Sequence, residues 1–131
     1  MIMLDTHTWI WFVTDSASLS KKARERIQEV IGQKKMIVSS ISVWEACLLH
    51  KAGRLKFSIP FPLWLKKNEN LPFLTFVPVN NDIAVQSVLL PGEFHKDPAD
   101  RMIVSTAIIT ESVLITKDTK IRSYSHVQSF W

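Results

Sequence analysis

The sequence has little cysteine and lacks any apolar run long enough to span a membrane. The single cysteine, Cys47, cannot form a disulfide within the chain, and its place in the apolar stretch 46–49 predicts a buried, unreactive thiol. A bilayer-spanning helix needs roughly 18 consecutive apolar residues. The N-terminus has neither a basic segment nor the pattern of a signal peptide. We therefore expect a cytoplasmic protein without a membrane segment.

Length and composition predict one folded domain over residues 1–131. A chain of 131 residues can bury a single core, and a hydrophobic fraction of 47% argues against disorder. The net charge of +4 favours a polyanionic partner over a cationic one. The basic residues are spread along the chain and also fit solvated helix faces: 21–26, 34–35, 51–56, 66–67 and 117–122.

Short apolar runs predict the strands of a buried sheet. Strands are expected at 2–4, 36–38 and 113–116. Two further strands are expected around Val127 and at 76–79, where Pro78 favours the edge of a sheet. Because these runs are continuously apolar and alternate with predicted helices, the sequence indicates an α/β fold, with a parallel sheet covered by helices on both sides.

Capping residues mark the predicted helices between these strands. An Asp cap followed by Pro is a strong start signal and predicts a helix from Asp97–Pro98 to about Thr110. The other helices are expected over 6–13, from Ser18 or Ser20 to Ile31 with a stop at Gly32, from Ser42 to His50 or Lys51, after Pro62, and from an Asn81 or Asp82 cap to about Leu90.

Acidic side chains stand at the ends of the strands and at the starts of the helices. Asp5 directly follows the first strand, and Asp118 follows the strand at 113–116. Glu45 lies on the helix after the second strand, whereas Asp97 and Asp100 begin the helix before the fourth. Because sites in parallel sheets lie beyond the carboxyl ends of the strands, we expect these acids at one edge of the sheet.

Each of these acids also has a purely structural interpretation. Asp5, Asp97 and Asp118 are all suited to cap the helix that follows them. Glu45 lies three residues after Ser42, which is the spacing of a capping box, and Asp100 would be favourable in the first turn of its helix. The sequence alone leaves both interpretations open for each residue.

Taken together, the acids favour a divalent-cation site. Clustered carboxylates raise one another's pKa values unless a cation neutralises them. A dense set of hard oxygen ligands selects Mg²⁺ or Mn²⁺. A zinc site of the usual spacing is not expected, because the chain has one cysteine and its four histidines are scattered.

Several polar neighbours are candidates for supporting such a site. Arg101, beside Asp100, is predicted to orient a carboxylate or to contact a phosphate. His7 is expected to be packed or hydrogen-bonded rather than to act as a catalytic base. Five hydroxyl groups are predicted to hydrogen-bond the carboxylates or bound water, with ordinary caps as the alternative: Thr6, Ser39, Ser40, Ser105 and Thr116.

The surroundings of the acids resemble a known family. Segments 3–9 (MLDTHTW), 42–45 (SVWE), 95–104 (HKDPADRMIV) and 114–118 (LITKD) occur in this order. They are similar to the PIN domain, and in particular to the VapC-like toxins of bacterial toxin–antitoxin pairs. The resemblance covers nearly the whole chain, but residues 55–78 carry no matching motif.

This resemblance implies a three-layer α/β/α sandwich around a central parallel sheet and Mg²⁺- or Mn²⁺-dependent cleavage of RNA. It also implies a small cognate antitoxin and a homodimer. The catalytic, metal-binding quartet carried over by position is Asp5, Glu45, Asp100 and Asp118, with Asp97 as a less certain fifth acid. All four quartet positions are acidic in this chain.

Two other functions remain open from the sequence. An aspartyl-phosphate enzyme of the haloacid dehalogenase type would have a second Asp two residues after the first, but here that position is His7. A non-catalytic RNA-binding or regulatory PIN-like domain, whose acids only support the sheet edge, is the second alternative.

Overall fold

Five parallel strands form the centre of the computed structural model, which describes residues 1–33 and 35–131. Lys34, one of the basic residues noted above, lies outside the described residues. The strands run in the order β3-β2-β1-β4-β5. Their bounds are Ile2–Leu4 (β1), Met36–Ser39 (β2), Leu74–Val77 (β3), Val113–Ile115 (β4) and Ser129–Phe130 (β5).

Helices cover both faces of this sheet. Alternate residues of β1 point to opposite faces, so Ile2 and Leu4 enter one hydrophobic core while Met3 enters the other. Both faces are therefore buried, and the predicted three-layer α/β/α arrangement is confirmed. The helices are Thr6–Val13 (α1), Lys21–Val30 (α2), Ser40–Lys51 (α3), Phe61–Glu69 (α4), Asn81–Val88 (α5), Pro98–Ile109 (α6) and Thr119–Arg122 (α7).

The strand order reverses beside β1. The chain passes from β1 to β2 and β3 on one side, then crosses to β4 and β5 on the other. Leu4 is in register with both Val38 and Ile115, so these three strands end at nearly the same level. The segments that follow β1 and β4 diverge from this level and leave an opening at the carboxyl edge.

Several predicted boundaries were wrong. Ser39 ends β2 and caps α3 directly, so α3 begins at Ser40, and Ser42 does not form a capping box with Glu45. The cap of α5 is Asn80, whose side chain accepts from the N–H of Ile83, rather than Asn81 or Asp82. α4 begins at Phe61, directly after Pro60, whereas this helix was predicted to begin after Pro62.

The outer strands also differ from the prediction in their bounds. β3 begins at Leu74 and ends at Val77, directly before Pro78, and its predicted place at a sheet edge is confirmed. β5 lies two residues beyond Val127. Gly32 does not stop the second helix, because a 3₁₀ turn continues through it over Ile31–Gln33.

Cys47 is exposed, so the prediction of a buried thiol was wrong. The reason is the orientation of α3, which turns Ser42 and Ala46 inward, one helical turn apart. Cys47 follows Ala46 and is therefore rotated towards solvent. In the part of the chain that the structure describes, none of the helices has the length and apolar character needed to cross a membrane.

Candidate active site

A cleft of about 590 Å³ opens at the carboxyl edge of the sheet. All of the acids singled out in the sequence line it, from four different segments of the chain. We call this group the carboxylate cluster: Asp5, Glu45, Asp97, Asp100 and Asp118.

Asp5 is the most buried member of the cluster, with 9% of its surface exposed. It caps α1 by accepting a hydrogen bond from the N–H of Thr8 (2.9 Å). Its other carboxylate oxygen accepts a 2.5 Å hydrogen bond from the Thr116 hydroxyl. Burial raises the pKa of Asp5, and the hydrogen bonds from Thr116 and Thr8 oppose that rise.

Glu45 projects into the cleft from α3. The Thr6 hydroxyl donates a 2.6 Å hydrogen bond to its Oε1 atom and lies 2.8 Å from the hydroxyl oxygen of Ser42. Burial is the main cause that raises the pKa of Glu45, and the charges of Asp97 and Asp5 raise it further. Thr6 and Ser42 therefore tie this carboxylate to α1 and α3.

Asp97 and Asp100 are held together at the start of α6. Asp97 is the predicted cap, and its side chain accepts from the N–H of Asp100 (2.9 Å). Burial raises the pKa of Asp100 to about 7, with smaller contributions from the charges of Asp97, Glu45, Asp118 and Asp5. Asp100 therefore lies where the negative charges of the whole cluster add together.

Asp118 caps α7 and is linked to Asp5 through Thr116. Its side chain accepts from the N–H groups of Lys120 (2.8 Å) and Ile121 (3.1 Å). Its own N–H donates to the Thr116 hydroxyl (3.0 Å), which in turn donates to Asp5. One buried threonine thus fixes the ends of the two strands that flank the opening.

Among the described residues, Arg101 contacts no carboxylate, so the prediction that it orients a carboxylate was wrong. Its guanidinium turns away from the cleft and donates to the backbone carbonyls of Ser87 (2.7 Å), Phe94 (2.9 Å), His95 (3.1 Å) and Val88 (3.3 Å). It fastens the end of α5 and the segment before α6 to the helix that carries Asp100.

The predicted hydroxyl groups divide into two classes. Thr6 and Thr116 hydrogen-bond the carboxylates, as predicted. Ser39 accepts from the N–H of Ile41 as the cap of α3, and Ser105 donates to the carbonyl of Arg101. Ser40 is simply the first residue of α3.

Two residues of the quoted motifs lie against the cluster without having been assigned a role there. His95 Nε2 lies 3.2 Å from a carboxylate oxygen of Asp100. Among the described residues, this nitrogen has no partner with proper hydrogen-bond geometry. His7 packs on the Trp11 ring, with centroids 5.6 Å apart, as expected of a packed histidine.

The sequence reasoning missed the other half of the cleft. Its wall is formed by His7, Trp11, Lys117 and Lys120, and we call this group the Trp11 wall. The sequence did contain a signal for this wall. His7 and Trp11 are four residues apart on α1, so they lie on the same face of this helix. Lys117 stands between Thr116 and Asp118, both of which had been singled out.

The donor chemistry of the carboxylate cluster fits a hard divalent cation. The cluster offers only oxygen ligands, and burial and mutual repulsion disfavour its ionised form. Within residues 1–33 and 35–131, no three ligand groups already converge in metal-binding geometry. The acids therefore surround an open cleft rather than a closed coordination shell.

Comparison with known proteins identifies the family. The sequence matches the PIN domain over residues 2–127. The chain belongs to the PIN-domain family. It is also 32% identical over 125 residues to Ribonuclease VapC22 of Mycobacterium tuberculosis (strain ATCC 25618 / H37Rv), with 95% of this chain and 92% of that relative covered. The predicted resemblance to VapC-like members is confirmed.

Solved structures share this PIN fold at low sequence identity. A toxin-antitoxin complex from Klebsiella pneumoniae matches with a TM-score of 0.66 and 19% identity, covering 97% of this chain and 95% of that one. VapBC2 from Rickettsia felis, bound to a DNA fragment from its promoter, matches with a TM-score of 0.71 and 15% identity, covering 99% and 98%.

Proposed function

We propose that this PIN-domain chain is an endoribonuclease that uses Mg²⁺ or Mn²⁺ to hydrolyse RNA phosphodiester bonds, and that it is the toxin of a toxin–antitoxin pair. The observation that carries the proposal is the carboxylate cluster around one open cleft. The relative at 32% identity is a ribonuclease by name, and similar folds occur in toxin-antitoxin complexes.

The proposed metal ligands are drawn from the carboxylate cluster. Asp5 and Asp100 are the first choices as direct ligands, and Glu45 and Asp118 complete the shell or orient water. Asp97 is a further candidate. A bound divalent ion would lower the pKa of a water molecule and stabilise the negative charge that grows on the phosphate.

The surrounding side chains keep these carboxylates in place during the reaction. Thr116 holds Asp5, and Thr6 holds Glu45, so neither carboxylate needs to reorganise as the substrate binds. In the hydrolysis, the oxygen of water would form a new bond to phosphorus while a P–O ester bond breaks; the attacking water would give up a proton to solvent or to a carboxylate, and the leaving oxygen would take up a proton from solvent. In this proposal Glu45 or Asp118 would orient that water if it does not itself complete the metal shell.

The test is cleavage of labelled RNA in a metal titration, with and without chelator. Asp5→Asn and Asp100→Asn keep the side-chain shape but remove a charge, so each is expected to lower cleavage by roughly a hundredfold or more. Asp82→Asn is the matched control, because Asp82 is an exposed aspartate on α5 that does not line the cleft.

The possible outcomes distinguish the proposal from its alternative. Cleavage that requires Mg²⁺ or Mn²⁺ and is lost in both cluster variants supports the proposal. Metal-independent binding of RNA without any cleavage would instead favour a non-catalytic RNA-binding or regulatory domain. Near wild-type cleavage by either cluster variant would remove that residue from the proposed ligands.

The proposed antitoxin has chemistry that this surface can recognise. An Arg or Lys on a flexible tail would supply a cation to the carboxylate cluster. Apolar side chains exposed on α3 and α4 would bind the rest of the tail: Trp44 is 56% exposed, Leu48 46% and Leu63 57%. Trp11, Trp44 and Trp64 are the tryptophans that the sequence offers for such a tail, with core packing expected for at least one of them, and Trp64 is indeed buried in the core.

A further inference from the structure

The cleft has two chemically different halves. One half is the carboxylate cluster, and the other is the Trp11 wall with its two lysines. A phosphodiester that enters the carboxylate half brings a nucleobase and a neighbouring phosphate with it. The Trp11 wall is within the same cleft, so these neighbouring groups meet an aromatic and basic surface there.

The fold of α1 places Trp11 on this wall. Asp5 caps the helix, and Thr8, Trp9 and Ile10 turn into the core. His7 and Trp11 lie one turn apart and line the cleft, where Trp11 is half-buried against the edge of this core. The capping carboxylate of the cluster and the aromatic ring are therefore carried by the same short helix, and their spacing is fixed.

Neighbouring aromatic and basic side chains support the Trp11 ring. Trp131 packs against it with ring centroids 5.9 Å apart, and His7 packs at 5.6 Å. Lys117 Nζ lies over the ring, 5.9 Å from its centroid. A side chain held on several sides loses little freedom when a ligand stacks on it, which favours binding.

We propose that the Trp11 wall is the nucleobase subsite of the enzyme. A base adjacent to the cleaved phosphodiester stacks on Trp11, and a phosphate beside that base contacts Lys117 and Lys120. Stacking on an aromatic ring accepts any base, because every base has a π-face, and the lysines follow the backbone. This inference rests on the proposed ribonuclease function, and it names where the substrate lies.

The charge distribution supports a nucleic acid as the occupant. The lysines give this wall the sign opposite to that of the carboxylate cluster, so a polyanion is attracted to the half that contains no acid of the cluster. An acidic peptide would match the lysines but would leave the aromatic ring without a partner of its own. RNA supplies both a phosphate and a flat base at the spacing of one nucleotide.

The test pairs protein variants with substrate variants. The cleavage position in a short oligoribonucleotide is first mapped with the wild-type chain, and each flanking base is then replaced by an abasic ribose. On the intact RNA, Trp11→Leu is expected to lower kcat/KM about tenfold or more, whereas Trp11→Phe retains a stacking face and stays within about threefold. On the abasic RNA that lacks the base proposed to stack on Trp11, Trp11→Leu should cause no further loss of kcat/KM, because the two changes remove the same contact.

Lysine variants provide a matched comparison of charge. Lys117→Gln should weaken binding of the intact and the abasic RNA alike and reduce the salt dependence of binding. Lys66→Gln removes the same charge from an exposed position on α4, away from the cleft, and should leave cleavage unchanged. Thermal melting of each variant shows whether its fold is retained.

The outcomes separate this inference from the ribonuclease proposal. If the wild-type chain cleaves both abasic RNAs as well as the intact RNA, the subsite is not on the Trp11 wall, although the enzyme remains a ribonuclease. That comparison uses only the wild-type protein, so it holds even if Trp11→Leu does not fold. If the wild-type chain cleaves no RNA with Mg²⁺ or Mn²⁺, the ribonuclease proposal fails and the subsite fails with it.

Discussion

The ionised form of Asp100 is disfavoured by its position in the cleft. Burial raises its pKa to about 7, and the other members of the carboxylate cluster contribute by repulsion. Below this pH the side chain is mostly protonated in the metal-free protein. Cation binding therefore has to displace a proton from Asp100, and metal affinity should rise with pH through this range.

The raised pKa of Asp100 makes the stability of the metal-free protein depend on pH. Since the folded state binds this proton more tightly than the unfolded state, with its ordinary pKa of 3.8, stability falls as pH rises from about 4 to about 7. Asp100→Asn removes this penalty. With chelator present, the melting temperature of Asp100→Asn minus that of the wild type should therefore increase by several degrees from pH 5 to pH 8.

Two controls accompany this melting experiment. Asp82→Asn changes an exposed aspartate outside the cleft, and its difference from the wild type should show no such trend with pH. Added Mn²⁺ should stabilise the wild type more at pH 8 than at pH 5, because the ionised cluster binds it better. A constant difference between Asp100→Asn and the wild type across this range would contradict the assigned environment of Asp100.

At the level of elements, the start of α6 was predicted correctly from the sequence, yet one of its residues was misassigned. The Asp97–Pro98 pair correctly predicted its start. Successive helical residues point about 100° apart, so when Asp100 faces the cleft Arg101 must face a neighbour. That neighbour is the end of α5, and no local pattern in the sequence shows where α5 packs.

Arg101 is expected to hold α5, the segment before α6 and α6 together. Arg101→Leu leaves four backbone carbonyls without their donor, and should lower the free energy of unfolding by about 3 kcal/mol. Arg101→Lys should recover only part of this loss, because one ammonium group cannot reach the same span of carbonyls. Urea denaturation measures both variants.

The matched control for Arg101 is Arg54→Leu, which removes an exposed arginine outside this junction. It should change the free energy of unfolding by less than about 0.5 kcal/mol. Equal stabilities of Arg101→Leu and Arg54→Leu would show that the guanidinium does not hold the three segments together.

Other elements show why local signals fix the type of an element better than its ends. α3 was predicted to start two residues late, because β2 passes into α3 at Ser39 without a loop and several serines there are possible caps. The acids at 5, 97 and 118 were judged either caps or site residues. Each of them caps a helix and also lines the cleft, because these three helices begin beside the opening at the carboxyl edge of the sheet.

At the scale of the molecule, the alternation of apolar strands and helices was sufficient to predict the α/β fold and the edge at which the acids meet. The pairing of Trp11 with Lys117 was not predicted, because it depends on β1 and β4 being neighbours, and the sequence does not state the strand order. The homodimer and the extent of a single domain over 1–131 stay predictions.

A free ribonuclease would damage the cell that makes it, so overproduction gives a test of the proposed toxin. Expression of the wild-type chain should arrest growth and degrade RNA, while Asp5→Asn should be harmless. Co-production of the small protein from the adjacent reading frame should relieve the arrest. Wild-type overproduction that leaves growth and bulk RNA untouched would argue against a toxin, even if metal-dependent cleavage is found in vitro.

The double use of the acids has a consequence for the evolution of this chain. Asp5, Asp97 and Asp118 each cap a helix, so selection for a folded protein would keep a capping residue at these positions even if the proposed catalysis were lost. Glu45 and Asp100 cap no helix, and their burial makes their ionised forms unfavourable. A lineage that drifted into a purely binding role would therefore lose acids 45 and 100 first. Among descendants, loss of the acid at 45 or 100 would therefore mark loss of the proposed activity in a chain that still folds, whereas loss of a capping residue at 5, 97 or 118 would weaken the fold as well.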